Sequence, residues 1–548
     1  MQLVNGLHFK NIRGDIFGGL TAAVVALPLA LAFGVSSGAG PIAGLYGAIF
    51  VGFFAALFGG TPSQVSGPTG PMTVVMAAIF TEYVAMDPVQ GPLLAFTIVI
   101  MGGLFQILFG VLRIGSYINY VPQPVISGFM SGIGVIIIIL QLGPLLGHPA
   151  AGGPLVSLQN LSVVFADINV AALMLGLLTI ALVYFSPAKI TRFVPAPLVA
   201  LVVGTLLLFF AIPEDLGITI LGDIPTGLPS PQFPTITAEL LPGMIKSALM
   251  LALLGTIDSL LTSLVADNIT RSHHNSDREL IGQGIGNTIS GIFGGLPGAG
   301  ATMRTMINVR AGGQTPISGM LHALVLLSIV LGLGSVASYI PHVVLAGILI
   351  KVGTDIIDWD YLKIMHKSSR PGVVIMLVVL LMTVFVDLIM AVGAGVLMAC
   401  LLFLKRQSEL QLENINIIRG VDEAAAMSDE EAALLKAANG HLLLFHLGGP
   451  MSFGAAKSMV RLVAYQKDYQ VIVLDLSDVP ALDYTASVAI RDIIANTLED
   501  NRKVVVALRS GAAAETLGRE HSLDAISEEC VHPNRLSALR YANGLIAK

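Results

Sequence analysis

Charged residues are scarce in this chain. Asp, Glu, Lys and Arg make up 12% of its 548 residues, whereas hydrophobic residues make up 54%. Soluble domains carry about 25% charged residues, so a purely soluble protein is excluded. Cysteine occurs only twice, which excludes a disulfide framework and a cysteine zinc site. A net charge of −6 gives no reason to expect nucleic acid as a partner. No nucleophile elbow, phosphate loop or acid–base pair stands out, which argues against an enzyme.

The chain contains instead many long apolar runs, and its mean hydropathy is +0.82. At about 20 residues per spanning helix, spans are predicted at 15–36, 40–59, 92–112, 120–146, 168–186, 195–212, 243–266, 314–333, 337–353, 371–386 and 388–404. A further helix is predicted at 278–294, and two short helices begin near Pro68 and Ala301. The sequence therefore predicts an α-helical polytopic membrane protein with fourteen transmembrane segments, seven in each half.

One short stretch occurs twice. Residues 120–128 (YVPQPVISG) resemble residues 339–347 (YIPHVVLAG), and they open the fifth and twelfth predicted helices. Because seven helices form each repeat, the second repeat is inverted across the membrane. The sequence thus predicts inverted repeats at about 15–212 and 243–404, within a transmembrane domain of residues 1–406. A mere helix-start signal, where proline is common, is the alternative interpretation.

Basic residues concentrate on one side of the predicted membrane. With the N-terminus inside, the connections at 82–91 and 213–242 on the outer side are nearly free of them. The cytoplasmic turns receive Arg113, Lys189, Arg192, Arg271, Arg278, Arg310, Lys351, Lys363, Lys367, Arg370, Lys405 and Arg406. Such an excess of Lys and Arg marks the cytoplasmic side. We therefore expect a multi-pass protein of the inner (plasma) membrane with both termini in the cytoplasm.

Two helix-breaking segments, 65–73 and 298–305, interrupt the apolar sequence at matching places in the two halves. Paired interruptions of this kind indicate the substrate site of a secondary transporter. Helices that begin there present unpaired N–H groups, which bind anions. A substrate site for a small anion is therefore predicted at Thr69, Gly70, Gly300, Ala301, Thr302 and Arg304. Close helix packing through small residues is the alternative.

Asp258 is the one ionisable residue well inside its predicted span, and Thr262 lies one helical turn further on. A charge at membrane depth costs at least about 2.5–3.5 kcal/mol, which makes it a functional candidate. The carboxylate and the hydroxyl together offer oxygens to Na⁺, or the carboxylate alone carries a proton. A structural ion pair or helix–helix hydrogen bond is the alternative. Arg304 either adds positive potential to the anion site or anchors packing.

The composition changes after Arg406. Residues 407–437 are polar and acidic, and they are predicted to form a linker. Residues 438–548 alternate predicted strands (442–447, 471–476, 503–508) with predicted helices (454–466, 484–498, 511–519). This alternation predicts a small cytoplasmic α/β domain.

Over essentially its whole length the chain resembles the SulP anion transporters, the bacterial relatives of solute carrier family 26. The similarity lies in residues 11–15, 26–30, 44–47, 67–70 and 300–302. The C-terminal domain resembles a STAS module. This resemblance implies a fourteen-helix fold of core and gate, elevator-like movement of the core, and homodimers assisted by the STAS domain.

Within the family, the chain is most similar to cyanobacterial sodium-dependent bicarbonate transporters. That similarity implies Na⁺ as the coupling ion, bound at Asp258, Thr262, Gly300, Ala301 and Thr302, with no other cofactor. It also implies that bicarbonate meets the backbone at Thr69 and Ala301. The expected function is sodium-coupled bicarbonate symport.

Departures from the family pattern keep alternatives open. Ala43 stands where the general SulP pattern has an aromatic residue. Arg304 matches an arginine of other SulP members, where the bicarbonate transporters carry a small residue. A proton-coupled or exchanging transporter of sulfate, chloride or a dicarboxylate is therefore the alternative, and a membrane sensor with a STAS output is an alternative of another class. In the STAS module, Tyr484 stands at the position of a phosphorylated serine, so a serine-phosphorylation switch is not expected.

Overall fold

The computed structural model describes residues 5–116, 121–150, 153–187, 194–213, 216–222, 229–234, 236, 238–386, 388–419 and 427–546. Tyr120 of the repeated motif, and Lys189 and Arg192 of the predicted cytoplasmic turns, lie outside these residues. The chain divides into two compact units, Met1–Val396 and Leu397–Lys548.

The first unit is built from helices. Those of the first half are α1 (Ile12–Ser36), α2 (Pro41–Phe58), α3 (Gly70–Met86), α4 (Gly91–Val111), α5 (Gln123–Leu145), α6 (Pro154–Gln159), α7 (Leu161–Ala166), α8 (Val170–Phe185) and α9 (Ala196–Ala211). Those of the second half are α10 (Leu241–Thr270), α11 (Ser276–Ile292), α12 (Thr302–Arg310), α13 (Pro316–Ala337), α14 (His342–Ile356), α15 (Trp359–Ile364) and α16 (Arg370–Phe385). Helix α17 (Leu388–Glu413) begins in the first unit and ends in the second. Two short strands, β1 (Ser66–Gly67) and β2 (Ala299–Gly300), interrupt this pattern.

A helix stands at each place where the sequence predicts a span. Among the described residues, six are long and apolar enough to cross a membrane by length and composition: Phe9–Ser36, Pro41–Phe58, Gly91–Val111, Gln123–Leu145, Leu241–Thr270 and Met390–Glu413. The total of fourteen spans stays a prediction. Both copies of the repeated motif open a helix, because Pro122 is the N-cap of α5 and Pro341 is the N-cap of α14.

The helices of the first unit pack in two groups. The first, called here the core group, comprises α1–α4 and α10–α13; α11 packs on α4 and α2, and α13 packs on α2 and α1. The second, called here the gate group, includes α5, α8, α9, α14 and α16; α14 packs on α5 and α8. The two groups meet where α1 contacts α14 and α9, and where α3 contacts α5. Each group thus draws helices from both halves of the chain.

The second unit is built around a five-stranded sheet in the order β3–β4–β5–β6–β7. Its strands are β3 (Ile415–Ile418), β4 (Leu442–Gly448), β5 (Val471–Asp478), β6 (Lys503–Ala507) and β7 (Val531–His532). Its helices are α18 (Asp429–Ala437), α19 (Phe453–Ala464), α20 (Tyr484–Glu499), α21 (Ala512–Arg519) and α22 (Arg535–Ile546). β4 to β7 run parallel, and separate apolar clusters cover the two faces. All three strands predicted in this region are present.

The segment predicted as a linker, 407–437, differs from that description. It contains the end of α17, the edge strand β3 and helix α18, and β3 pairs antiparallel with β4. Ile415 and Ile417 pack against the core while Asn416 alternates with them. The polar surroundings of this short strand conceal its period of two in the sequence.

A buried cluster of charged and polar side chains connects strands β4 and β5 with helix α22 in the second unit. Asp475 in β5 is fully buried; His446 Nδ1 lies 2.8 Å from its Oδ2, and Arg535 Nε donates to the same oxygen. Ser477 also donates to the carboxylate through its backbone N–H. Burial alone would raise the pKa of Asp475, but hydrogen bonds from His446, Ser477 and Arg535 lower it to about 2. The cluster therefore contains a fully partnered, ionised carboxylate.

Candidate functional site

The two interrupted segments cross each other inside the first unit. β1 and β2 pair antiparallel, with Ser66 opposite Gly300 and Gly67 opposite Ala299. The backbone N–H of Ala301 continues the ladder, donating to the Val65 carbonyl at 2.9 Å. Helix α3 leaves this ladder after Thr69, and helix α12 leaves it after Ala301. One backbone crossing therefore sets the starting points of both helices.

The first N–H groups of a helix lack intrahelical partners and carry partial positive charge. At the crossing these groups belong to residues that follow Thr69 and Ala301, the two N-caps, both of which are in extended conformation. Neither N-cap side chain bonds to its own helix, so the N–H groups stay open to another acceptor. The arrangement suits an anion between two helix N-termini.

Gly67 is the residue that makes this crossing possible. Its φ is +148°, and a Cβ there would lie 2.7 Å from Arg304 Nη1 and 3.1 Å from Ala48 Cα. Only glycine adopts that backbone angle without strain and leaves the guanidinium its place.

Asp258, on α10, meets the first of the two segments. Its buried carboxylate accepts a hydrogen bond of 2.7 Å from the Thr69 hydroxyl. In the part of the chain that the structure describes, this is the one hydrogen bond that the carboxylate accepts. A carboxylate offers about four lone-pair sites, so most of its capacity is unused.

Thr262 meets the second segment. Its hydroxyl lies 2.9 Å from the Gly300 carbonyl oxygen, to which it donates, and 2.7 Å from the Thr302 hydroxyl. Asp258, Thr262, Gly300 and Thr302 thus contribute carboxylate, hydroxyl and carbonyl oxygens, the atom types that bind Na⁺ at broken membrane helices. Within the described residues no group of three or more His, Cys, Asp or Glu forms a metal site.

Arg304 is buried in the first turn of α12. Its Nη2 donates to the Pro68 carbonyl, whereas its Nη1 finds no hydrogen-bond partner among the described residues. A buried guanidinium with an unsatisfied N–H favours an additional acceptor nearby. The hydrogen bond to Pro68 is compatible with the packing role, and the unpartnered Nη1 is compatible with the electrostatic role, so both alternatives for Arg304 stay predictions.

A cavity of about 380 Å³ lies at this crossing. The core group contributes to its lining all the predicted site residues except Thr262. These residues are Thr69, Gly70, Asp258, Gly300, Ala301, Thr302 and Arg304. The gate group contributes Met130, Pro197 and the α14 residues Ile348, Lys351, Val352, Asp355 and Ile356. The cavity therefore lies where the two helix groups meet.

Lys351 and Asp355 were not recognised as site residues in the sequence. Lys351 was predicted in a cytoplasmic turn, and this prediction is wrong, because the residue lies inside α14 and lines the cavity. Its ammonium pairs with Asp355 on the next turn. A lysine and an aspartate four residues apart within an apolar stretch were the available signal.

A second missed element is the buried network around Glu279, in the first turn of α11. Its carboxylate accepts from the Gly60 and Thr61 N–H groups at 2.8 and 2.9 Å, and from Gln64 and Gln283, both at 2.8 Å. This network fixes the chain that leads into β1. It is a structural support of the crossing, and all its donors come from nearby backbone or amides.

Comparison with known proteins decides the family. Residues 12–379 match the sulfate permease family, and residues 433–530 match the STAS domain. The chain belongs to the sulfate permease family. It is therefore a membrane transporter of small anions and not an enzyme. The predicted helical membrane fold with a C-terminal STAS domain is confirmed.

Individual relatives agree with this assignment. The chain is 49% identical to "Bicarbonate transporter BicA" of Picosynechococcus sp. over 527 residues, which cover 95% of this chain and 93% of that protein. The solved transmembrane domain of a cyanobacterium bicarbonate transporter BicA matches with a TM-score of 0.67 and 53% identity, covering 72% of this chain and 100% of that chain. Murine Slc26a9, an anion transporter in the inward-facing state, shares the fold with a TM-score of 0.81 at 19% identity, covering 98% of this chain and 92% of that chain.

Proposed function

We propose that this chain is a sodium-coupled bicarbonate symporter. The observation that carries the proposal is the Asp258 carboxylate, which accepts a single hydrogen bond within the described residues and lines the same cavity as two helix N-termini. The helix N-termini bind the anion, and Asp258 with the oxygens of Thr262, Gly300 and Thr302 binds Na⁺. The choice of bicarbonate is supported by the 49% identical relative that bears that substrate's name.

The coupling follows from charge. Bicarbonate alone between the helix ends would face the negative Asp258, and Na⁺ compensates that repulsion when both ions are bound. Each ion thus raises the affinity for the other, and the coupling free energy is reciprocal. We propose that the core group then moves against the gate group as an elevator, carrying both ions. The fourteen spans, the inner membrane and the cytoplasmic termini belong to the same proposal.

The deciding experiment is uptake of labelled bicarbonate and labelled sulfate into proteoliposomes, each with and without an inward Na⁺ gradient. Sodium-stimulated bicarbonate uptake is the expected result. Sulfate uptake that is indifferent to Na⁺ would contradict the proposal.

The second candidate is a proton-coupled or exchanging transporter of sulfate, chloride or a dicarboxylate. The observation that favours it is Arg304 Nη1, a buried N–H without a partner among the described residues that a larger anion would satisfy. Uptake driven by a pH gradient in the absence of Na⁺ would support this candidate. The sensor interpretation predicts no transport of any anion by the purified protein, and family membership weighs against it.

We also propose that the STAS unit supports a homodimer. Phe453 and Tyr484 are exposed aromatic residues that begin two packed helices, α19 and α20. Asp483 accepts the backbone N–H groups of both Phe453 and Ala486 at 2.8 Å, so it caps α20 and holds the two helix starts together. Light scattering of the purified full chain should give twice the monomer mass.

A further inference from the structure

The gate side of the cavity carries a charge pair that the proposed ion sites do not use. Lys351 and Asp355 lie one turn apart on α14 and both line the cavity. Their side chains are 25% and 33% exposed, so the pair is neither buried in the packing nor free in solvent.

Lys351 is held in a defined position. Its ammonium lies 5.1 Å from the centre of the Tyr184 ring, and the Tyr184 hydroxyl lies 2.5 Å from the Thr354 hydroxyl. Thr354 in turn donates to the Lys351 carbonyl at 2.7 Å. These contacts, from α8 and α14, keep the cation beside the cavity.

The pair opposes the usual preferences of a helix. Acidic residues are disfavoured near a helix C-terminus, and Asp355 is the penultimate residue of α14. An acid that follows a lysine by four residues is also the weaker order for an ion pair. Asp355 thus occupies an unfavourable helix position in an unfavourable pairing order, and such departures from local preference are expected at functional positions.

We propose that Lys351 is a second cation that attracts the transported anion into the cavity, and that Asp355 sets the strength of this attraction by pairing with it. This inference deepens the proposed function and rests on it. Without anion, the pair is closed and the cavity is close to neutral on its gate side. An anion within the cavity competes with Asp355 for the ammonium, and Lys351 then stabilises it from the gate-group wall, whereas the α3 and α12 N-termini belong to the core-group wall.

The proposal predicts effects of opposite sign for the two residues. Lys351→Met leaves Asp355 unopposed, and it should raise the KM for the anion about fivefold, the effect of a unit charge at several ångströms in a partly aqueous medium. Asp355→Asn frees the cation and should lower that KM. The double variant should fall between the two single variants, and Lys351→Arg should stay near the wild type.

Uptake is measured in proteoliposomes at constant protein density, with the anion varied at saturating Na⁺. Lys363→Met is the matched control, because Lys363 pairs with Asp360 on the exposed surface of α15 and does not line the cavity. A merely structural pair would give Lys351→Met and Asp355→Asn the same direction of effect, and that result would overturn the proposal. So would an unchanged KM in Lys351→Met.

If Lys351→Met fails to accumulate in the membrane, Asp355→Asn is a sufficient test by itself. An unchanged or raised KM for the anion in Asp355→Asn would contradict the proposal. Wild-type uptake separates this inference from the proposed function. If the wild type carries sulfate without Na⁺, the bicarbonate symport proposal fails, whereas the KM series with sulfate still tests Lys351.

Discussion

Asp258 in the membrane unit and Asp475 in the STAS unit are both buried carboxylates, but their surroundings differ. Asp475 accepts from His446, Arg535 and Ser477, and its charge is compensated within the fold. Asp258 accepts one hydrogen bond, from Thr69, within the described residues. A buried carboxylate with unused lone pairs is a candidate for binding a ligand. We therefore expect the number of hydrogen-bond partners to distinguish the structural carboxylate Asp475 from the proposed cation ligand Asp258.

The largest expected effect tests the functional side of this comparison. Asp258→Asn keeps the size of the side chain and its contact with Thr69 but removes the charge. Sodium-stimulated uptake should fall to background, while the apparent melting temperature of the purified protein changes little. Retained sodium stimulation in this variant would refute the assignment of Asp258 as the cation ligand.

Glu279→Gln tests the structural side within the membrane unit. A single amide oxygen cannot accept from all four donors, and unsatisfied buried donors cost about 1–3 kcal/mol each. The expected loss is about 3 kcal/mol of stability, seen as a lower melting temperature in detergent. Protein that remains folded should keep the wild-type half-saturation by Na⁺. A shifted sodium response at unchanged melting temperature would place Glu279 on the functional side.

Acid should weaken the STAS unit through Asp475. Because its folded pKa of about 2 lies below the usual aspartate pKa of 3.8, the carboxylate contributes stability above pH 3.8 that is lost as pH falls toward 2. The difference corresponds to about 2 kcal/mol. Hydrogen exchange of the β4 and β5 peptides in the full chain should accelerate over this range, after correction for intrinsic rates. Asp475→Asn should be unstable at neutral pH and lose that dependence; an equal acid response in the variant would contradict the assignment.

Thr262→Val should give the smallest effect. It removes one hydroxyl without changing the shape of the side chain, so the half-saturating Na⁺ concentration should rise about tenfold, equivalent to the loss of about one hydrogen bond. Thr270→Val on the same helix is the control, because the Thr270 hydroxyl bonds back to the Ala266 carbonyl away from the crossing. Equal responses of the two variants would remove Thr262 from the cation site.

Much of this arrangement was visible in the sequence. The helix positions follow from apolar run length, and the two interruptions follow from Gly, Pro and Thr in apolar surroundings. Asp258 and Thr262 were found because a carboxylate inside a span is conspicuous. Their contacts with Thr69 and Gly300 join residues 189 and 38 positions apart. The predicted inverted repeat indicated that Asp258 would approach the first segment, and the family resemblance grouped Thr262 with Gly300.

The missed elements have physical reasons. Lys351 looked like a turn residue because Lys and Arg usually mark cytoplasmic connections. Glu279 lies among polar residues near a helix start, where an acid is ordinary, and its donors at 60, 61 and 64 are distant in the chain. Strand β3 is a four-residue edge strand in a polar segment, too short for its alternation to stand out. In each case, tertiary contacts decide what local composition leaves open.

The two-residue ladder between β1 and β2 also limits how the chain can be divided. Ser66 and Gly67 come from the first half of the membrane unit, and Ala299 and Gly300 come from the second half. Either half alone would leave a strand edge unpaired in the interior of the protein and would hold only one of the two helix N-termini at the cavity. Two separately made fragments could therefore restore transport only by associating. A chimera that exchanges one half between related transporters must preserve the β1–β2 pairing as well as the side chains around it.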